Sequence, residues 1–156
     1  MGAVPFGVVT RSIAMPMWVR DEPHPRAVVE AADPAKRHAL VRVLADHGYS
    51  VRGCGGPEEA DERCPLADGV DCVGVIGTDV VVHAMRHTDP RNREVLRRLR
   101  QRYPETPVVV EAPGPELDRH PEDFEGCHVV RQPITSASLL EAVGSACGEG
   151  GVVSSG

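Results

Sequence analysis

Aromatic residues make up only 3% of this 156-residue chain, and lysine occurs once, at position 36. A core short of aromatic bulk has to be filled by Val, Leu, Ile and Ala. The remaining 16 of the 17 basic residues are arginine, so no lysine outside the segment around Lys36 can serve a pocket. No apolar run approaches the roughly 20 residues that cross a bilayer. The N-terminus lacks a basic stretch followed by a sustained apolar one, which excludes a signal peptide. No C-x-x-C pair occurs among Cys54, Cys64, Cys72, Cys127 and Cys147. An odd set without that pairing reads as reduced thiols of a cytoplasmic protein, rather than a disulfide framework or a zinc site. Net positive charge is also missing: the formal charge is −6, which argues against generic nucleic-acid binding and against an anionic membrane surface.

What is present suffices for one domain with a proper core, since 41% of the residues are hydrophobic. Residues 1–25 hold four prolines and the lone Trp18 without a sustained period, and read as a flexible arm. Residues 148–156 read as a flexible tail rich in Gly and Ser. Between them, over 26–147, short β-branched runs alternate with helical patterns. The strands are expected at Ala27–Ala31, Tyr49–Cys54, Asp71–Gly77, Thr106–Glu111 and His128–Arg131. Asp33-Pro34 and Asp89-Pro90 each pair a favoured N-cap with a favoured first helical residue. Leu40, Val43 and Leu44 form the inner stripe of the first helix, and Gly48 ends it. Val95, Leu96, Leu99 and Tyr103 line the next strong helix, and Thr135 caps a last one bearing Leu139, Leu140 and Val143. A weak helix is expected between Gly55 and Leu66, and weakly helical, proline-rich chain over 113–126. Five strands alternating with helices imply a parallel α/β sheet covered on both faces.

Several residue groups carry possible chemistry. His83 and His87 are spaced to share a helix face, with Asp89 nearby, and form a weak metal-ligand set that lacks the Glu of an H-E-x-x-H motif. Exposed loop histidines are the plainer reading. Glu30 and Glu111 sit near the ends of apolar strands, where an unpaired carboxylate is costly. With Asp33 and Asp79 they define an acidic rim that would suit a small metal-dependent hydrolase or ligand-binding domain; rim acids paired with arginines are the simpler alternative. Gly53-Cys54-Gly55-Gly56 matches no phosphate-binding fingerprint and reads as a turn. The arginines between Arg91 and Arg102 read as a solvated helix face.

The strand ends close as Glu30-Ala31-Ala32, Val75-Ile76-Gly77 and Glu111-Ala112. With Ala27–Pro34, Leu96–Val110 and His128-Val-Val-Arg-Gln132-Pro133-Ile-Thr135, the order and spacing resemble the receiver domain of bacterial two-component response regulators, over about 26–147. That resemblance implies a flavodoxin-like fold with strand order 2-1-3-4-5 and a cis peptide at Gln132-Pro133. It also implies a phosphorylation pocket at the carboxyl rim, where charge build-up on the phosphoryl group needs a metal and a cation. By position, the metal-holding acids fall on Ala31 and Ala32, the nucleophile on Ile76, the hydroxyl on Ala112 and the lysine on Gln132. All five functional groups are missing. Asp33 remains, but N-capping explains it, and Asp79 is a possible substitute acceptor.

The expectation is therefore a degenerate pseudo-receiver, a stand-alone cytoplasmic domain without enzymatic activity or cofactor. It would signal through a protein partner such as a kinase or another regulator, with a homodimer also open. As the resemblance implies, the partner face maps onto Val130, Arg131, Pro133, Ser136 and Leu140. The segment Gly77–Thr88 is expected to be a connection longer than the family's usual one.

Overall fold

A computed structural model describes residues 24–59 and 63–155, with side chains to residue 148. Most of the expected arm, residues 1–23, lies outside the described residues. Five strands form one parallel sheet: β1 (Arg26–Glu30), β2 (Ser50–Cys54), β3 (Val80–His83), β4 (Val108–Ala112) and β5 (His128–Arg131), in the order β2-β1-β3-β4-β5. This is the flavodoxin-like arrangement expected from the alternating pattern.

Alternation along the strands sorts side chains between two cores. On one face Ala27, Val29, Val80, Val82, Val109 and Val130 meet Leu40 and Leu44 of helix α1 (Pro34–Ala45) and Leu139, Val143 and Ala146 of α4 (Ser136–Ser155). On the other, Val28, Val81, Val108 and Val110 meet Val95, Leu96 and Leu99 of α2 (Pro90–Arg102), with Phe124. The proline-rich stretch after β4 folds as the short α3 (Gly114–Arg119) and one 3-10 turn, Pro121–Phe124.

The helix starts follow the sequence signals. The Asp33 carboxylate accepts from the Ala35 N–H at 3.2 Å, and that of Asp89 from the Arg91 N–H at 2.9 Å. Each satisfies one of the donors a helix N-terminus leaves open. The Thr135 hydroxyl accepts from the Ser138 N–H at 3.0 Å and caps α4. That helix continues to Ser155, through the stretch expected as a loose tail. The Gln132-Pro133 peptide is cis.

One strand assignment is overturned. Residues 71–77 are not a strand but a succession of turns, with Val75 N–H and Ile76 N–H both donating to the Cys72 carbonyl at 3.0 and 3.2 Å. Gly77 adopts φ +87°, a left-handed conformation that a strand does not use. Val75 from this segment plugs into the α2-side core, while Ile76 is 47% exposed. The third strand is Val80–His83, inside the stretch expected as a long loop, and all four residues are 0% exposed. A strand paired on both edges and covered on both faces reads as a continuous apolar run, which Val80-Val81-Val82 supplies. The extra length therefore precedes β3 instead of following it. Likewise the weak helix expected after β2 reduces, among the described residues, to a 3-10 turn at Gly56–Glu58 and a further turn near residues 65–69.

This placement is testable by stability. Leu99→Ala, at a position 1% exposed, is expected to lose about 2–5 kcal/mol in urea unfolding. Ile76→Ala is expected to change stability by less than about 0.5 kcal/mol. A loss at Ile76 comparable to that at Leu99 would return residues 71–77 to the sheet.

Candidate functional site at the carboxyl rim

In an open α/β sheet the carboxyl ends of the strands form the usual binding crevice. Three backbone bonds define that rim here. The Ala31 N–H donates to the Cys54 carbonyl (3.0 Å), the Ala84 N–H to that of Glu30 (2.9 Å), and the Gln132 N–H to that of Ala112 (3.0 Å). The residues just past β1 and β3 are thus Ala31 and Ala84, and β4 ends on Ala112. Their exposures are 0%, 5% and 0%, so methyl groups stand at these strand ends, those of Ala31 and Ala84 in the α1-side core and that of Ala112 in the α2-side core. Ile76, expected at the end of the third strand, is on a turn away from this row; Ala84 holds that place. Ala32 is half-buried, and Asp33 is exposed and engaged in capping α1.

Asp79 is at the opposite end of the sheet. It precedes β3, and its carboxylate accepts from the Arg26 N–H at 2.8 Å and from Arg26 Nε at 3.4 Å. A role as substitute acceptor at the rim is therefore ruled out by position. The expected four-acid rim also dissolves. Glu30 faces the α2 side, Glu111 faces the α1 side, and each is already paired.

Glu111, 4% exposed, meets the ammonium of Lys36, which α1 projects across the sheet edge, and accepts from the Ile134 N–H at 3.2 Å. The rim therefore does have a cation, delivered from the first helix instead of from the Gln132 position. These residues line an open groove of about 550 Å³ with Leu40 and Pro133.

Arg37 supplies a second cation: Nη1 donates to the Ala31 carbonyl at 2.7 Å and lies 3.5 Å from Glu59 Oε1. The 3-10 turn between Glu59 and β2 is tied down on its other side too. Glu58 accepts from Arg86 at 2.5 Å and from Asn92 Nδ2 at 2.7 Å, and the Pro57 carbonyl accepts from Arg91 at 3.1 Å. The Arg86 hydrogen bond holds the Glu58 carboxyl below its ordinary range, with Asn92 assisting. Beneath the turn lies Met85. Gly56 adopts φ +67°, a left-handed conformation that favours glycine, and packs against the flexible end of Met85. Met85 and two arginine-held acids, Glu58 and Glu59, thus lie beside the alanine-bearing strand ends.

A row of polar side chains crosses the sheet on the α2 face. Cys54, Glu30 and His83 are partners in adjacent strands. Glu30 Oε1 lies 2.6 Å from His83 Nδ1, both residues being buried. His83 Nε2 meets no partner among the described residues. A cavity of about 230 Å³ adjoins this row, lined by Glu30, Cys54, Cys64, Cys72, Leu66 and Val75. Burial, reinforced by Glu30, pushes the Cys54 thiol far above its ordinary range, and burial raises Cys64 and Cys72 as well. These groups stay protonated and are poor nucleophiles.

His83 and His87 do not share a helix face, because one ends β3 and the other lies in the turn before α2. Asp89 caps that helix. His87 instead packs its ring 4.5 Å from Phe124 and faces Asp123 Oδ2 at 3.3 Å. Burial lowers its pKa, opposed by Asp123. The expected partner face needs one change: Val130 is 7% exposed and points into the core, whereas its neighbour Val129 is 40% exposed. Arg131, Pro133 and Ser136 are exposed, and Leu140 is half-buried against the core.

No family model matches the chain, and no curated protein matches it. Solved structures do. A response regulator receiver domain from Clostridium thermocellum superposes with a TM-score of 0.64 at 17% identity, covering 83% of this chain and 98% of that one. The receiver domain of the Francisella response regulator 1452 gives 0.61 at 16% identity, covering 81% and 98%. Chemotaxis protein CheY4 of Vibrio cholerae gives 0.59 at 16%, covering 79% and 98%. The chain has the receiver fold.

The Lys36–Glu111 pair offers a direct check. Lys36→Met strands a buried carboxylate and is expected to cost about 1–3 kcal/mol, which Glu111→Gln in the same chain partly restores. A single-variant loss within about 0.5 kcal/mol would mean that Glu111 does not depend on this cation.

Proposed function

We propose that the chain is a receiver-like signalling domain that acts by protein–protein contact and does not use phosphorylation. The observation that carries this reading is the set of buried alanines at the strand ends of the rim, Ala31, Ala84 and Ala112, with Arg37 bonded to the Ala31 carbonyl and the turn after β2 held by Arg86 and Asn92. Phosphoryl transfer to a carboxylate needs an acceptor and ligands for a metal that offsets the charge. Methyl groups supply neither. Gln132 likewise carries no charge where the receiver resemblance would place lysine.

Ala84 takes over from Ile76 as the residue at the nucleophile's place. Arg37 and Lys36 bring fixed positive charge to the crevice and its edge, so the electrostatics are set permanently and not by a bound ion. A domain locked in one state can still present a surface. The surface that fits is the open edge of β5 with the start of α4, through Val129, Arg131, Pro133 and Ser136. No helix among the described residues is long and apolar enough to cross a membrane. A signalling protein such as a kinase or an effector is the class of partner that this reading favours, and the domain is non-enzymatic. The acidic-rim hydrolase has no comparable support, since its four acids are spread over both faces and both ends of the sheet.

Incubation with acetyl phosphate and Mg²⁺, followed by intact-mass measurement, is expected to leave the protein unmodified, and partner capture is expected to be the same with and without that treatment. A phosphoryl adduct lost in Asp33→Asn would overturn the proposal.

A further inference from the structure

We propose that His87, His120, Glu122 and Asp123 form a binding site for a divalent transition metal ion of the zinc, nickel or cobalt type. Ligand atoms of His120, Glu122 and Asp123 all lie within 4.8 Å of one another. His120 Nδ1 is 3.8 Å from Glu122 Oε2, and His87 Nε2 is 3.3 Å from Asp123 Oδ2. A tetrahedral zinc ion with bonds near 2.0–2.2 Å sets its ligand atoms about 3.3 Å apart. The His87–Asp123 pair already has that spacing; His87 lies outside the trio of mutually close ligand atoms, so a four-ligand site forms on rotation of the exposed His120 and Glu122 side chains.

The local fold explains why these residues meet. One 3-10 turn, Pro121–Phe124 with His120 as its N-cap, brings His120, Glu122 and Asp123 together around a tight bend. Phe124 anchors that turn in the core and packs at a tilt against the His87 ring. Two arginines of α2 hold the backbone on either side: Arg93 donates to the His87 carbonyl at 2.9 Å and Arg100 to the Asp123 carbonyl at 2.6 Å. Such outer contacts fix the first ligands in place.

His87 is the buried member of the set, 3% exposed, with its Nε2 already 3.3 Å from the Asp123 carboxylate. The other three ligands reach solvent, so an ion has a path in. Two imidazoles and two carboxylates suit borderline metals better than Mg²⁺ or Ca²⁺, which favour oxygen throughout. The site lies off the alanine-bearing rim, beside the α2 N-terminus, and is independent of the proposed signalling role.

The test is titration of untagged full-length protein with Co²⁺, read by visible absorption, and with Zn²⁺, read by thermal shift. The expected result is one equivalent of Co²⁺ without a thiolate charge-transfer band, and a raised melting temperature with Zn²⁺. His120→Ala and Asp123→Asn, changed at or near the surface, are each expected to weaken binding about tenfold or more. His47→Ala, exposed at the far end of α1, is expected to leave it unchanged. Absence of saturable binding, binding unaltered in His120→Ala, or a thiolate band that accounts for the bound metal would overturn the proposal.

Discussion

Burial of β3 on every side is the constraint from which the rest of the structure follows. With β1 on one edge, β4 on the other and helices over both faces, its backbone is satisfied by the ladder and its side chains have nowhere polar to go. Three valines meet that condition. The one polar residue, His83, is tolerated because Glu30 on β1 sits beside it in register and within hydrogen-bond distance. Burying a polar group without a partner is costly, and the next strand out, β4, holds its acid the same way through Glu111 and Lys36.

The same rule accounts for the rim. A crevice able to do phosphoryl chemistry must concentrate carboxylates, and these need a metal or cations to be tolerable. Here alanine replaces them, so the charge that α1 brings is directed elsewhere: Arg37 to a backbone carbonyl, Lys36 to Glu111. The turn after β2 is then held by ion pairs along its own edges.

Much of the fold was legible in the sequence, because its signals are local. Asp-Pro pairs marked both major helix starts, the 3.6-residue stripes gave their inner faces, and β-branched runs gave four of the five strands. The third strand was misplaced because residues 71–77 and 80–83 are both apolar and short. Gly74 and Gly77 in the first, and an unbroken Val-Val-Val in the second, were the discriminating signal. That error moved the expected nucleophile place from Ala84 to Ile76 and put Asp79 at the wrong end of the sheet. Contacts between distant segments were out of reach of any local pattern. Lys36 with Glu111, Arg37 with Glu59, and His87 with the turn at residues 120–123 meet only because the sheet brings them together.

The central claim is that the carboxyl rim lacks the acceptor and the ligands for a metal-bound phosphoryl group. The most direct measurement is the backbone amide NMR spectrum with Mg²⁺ alone and then with Mg²⁺ and beryllofluoride, a mimic of an acyl phosphate. The account expects the amides of Ala31, Ala84, Ala112 and Gln132 to keep their positions in both. Saturable shifts at those amides on adding beryllofluoride would contradict it.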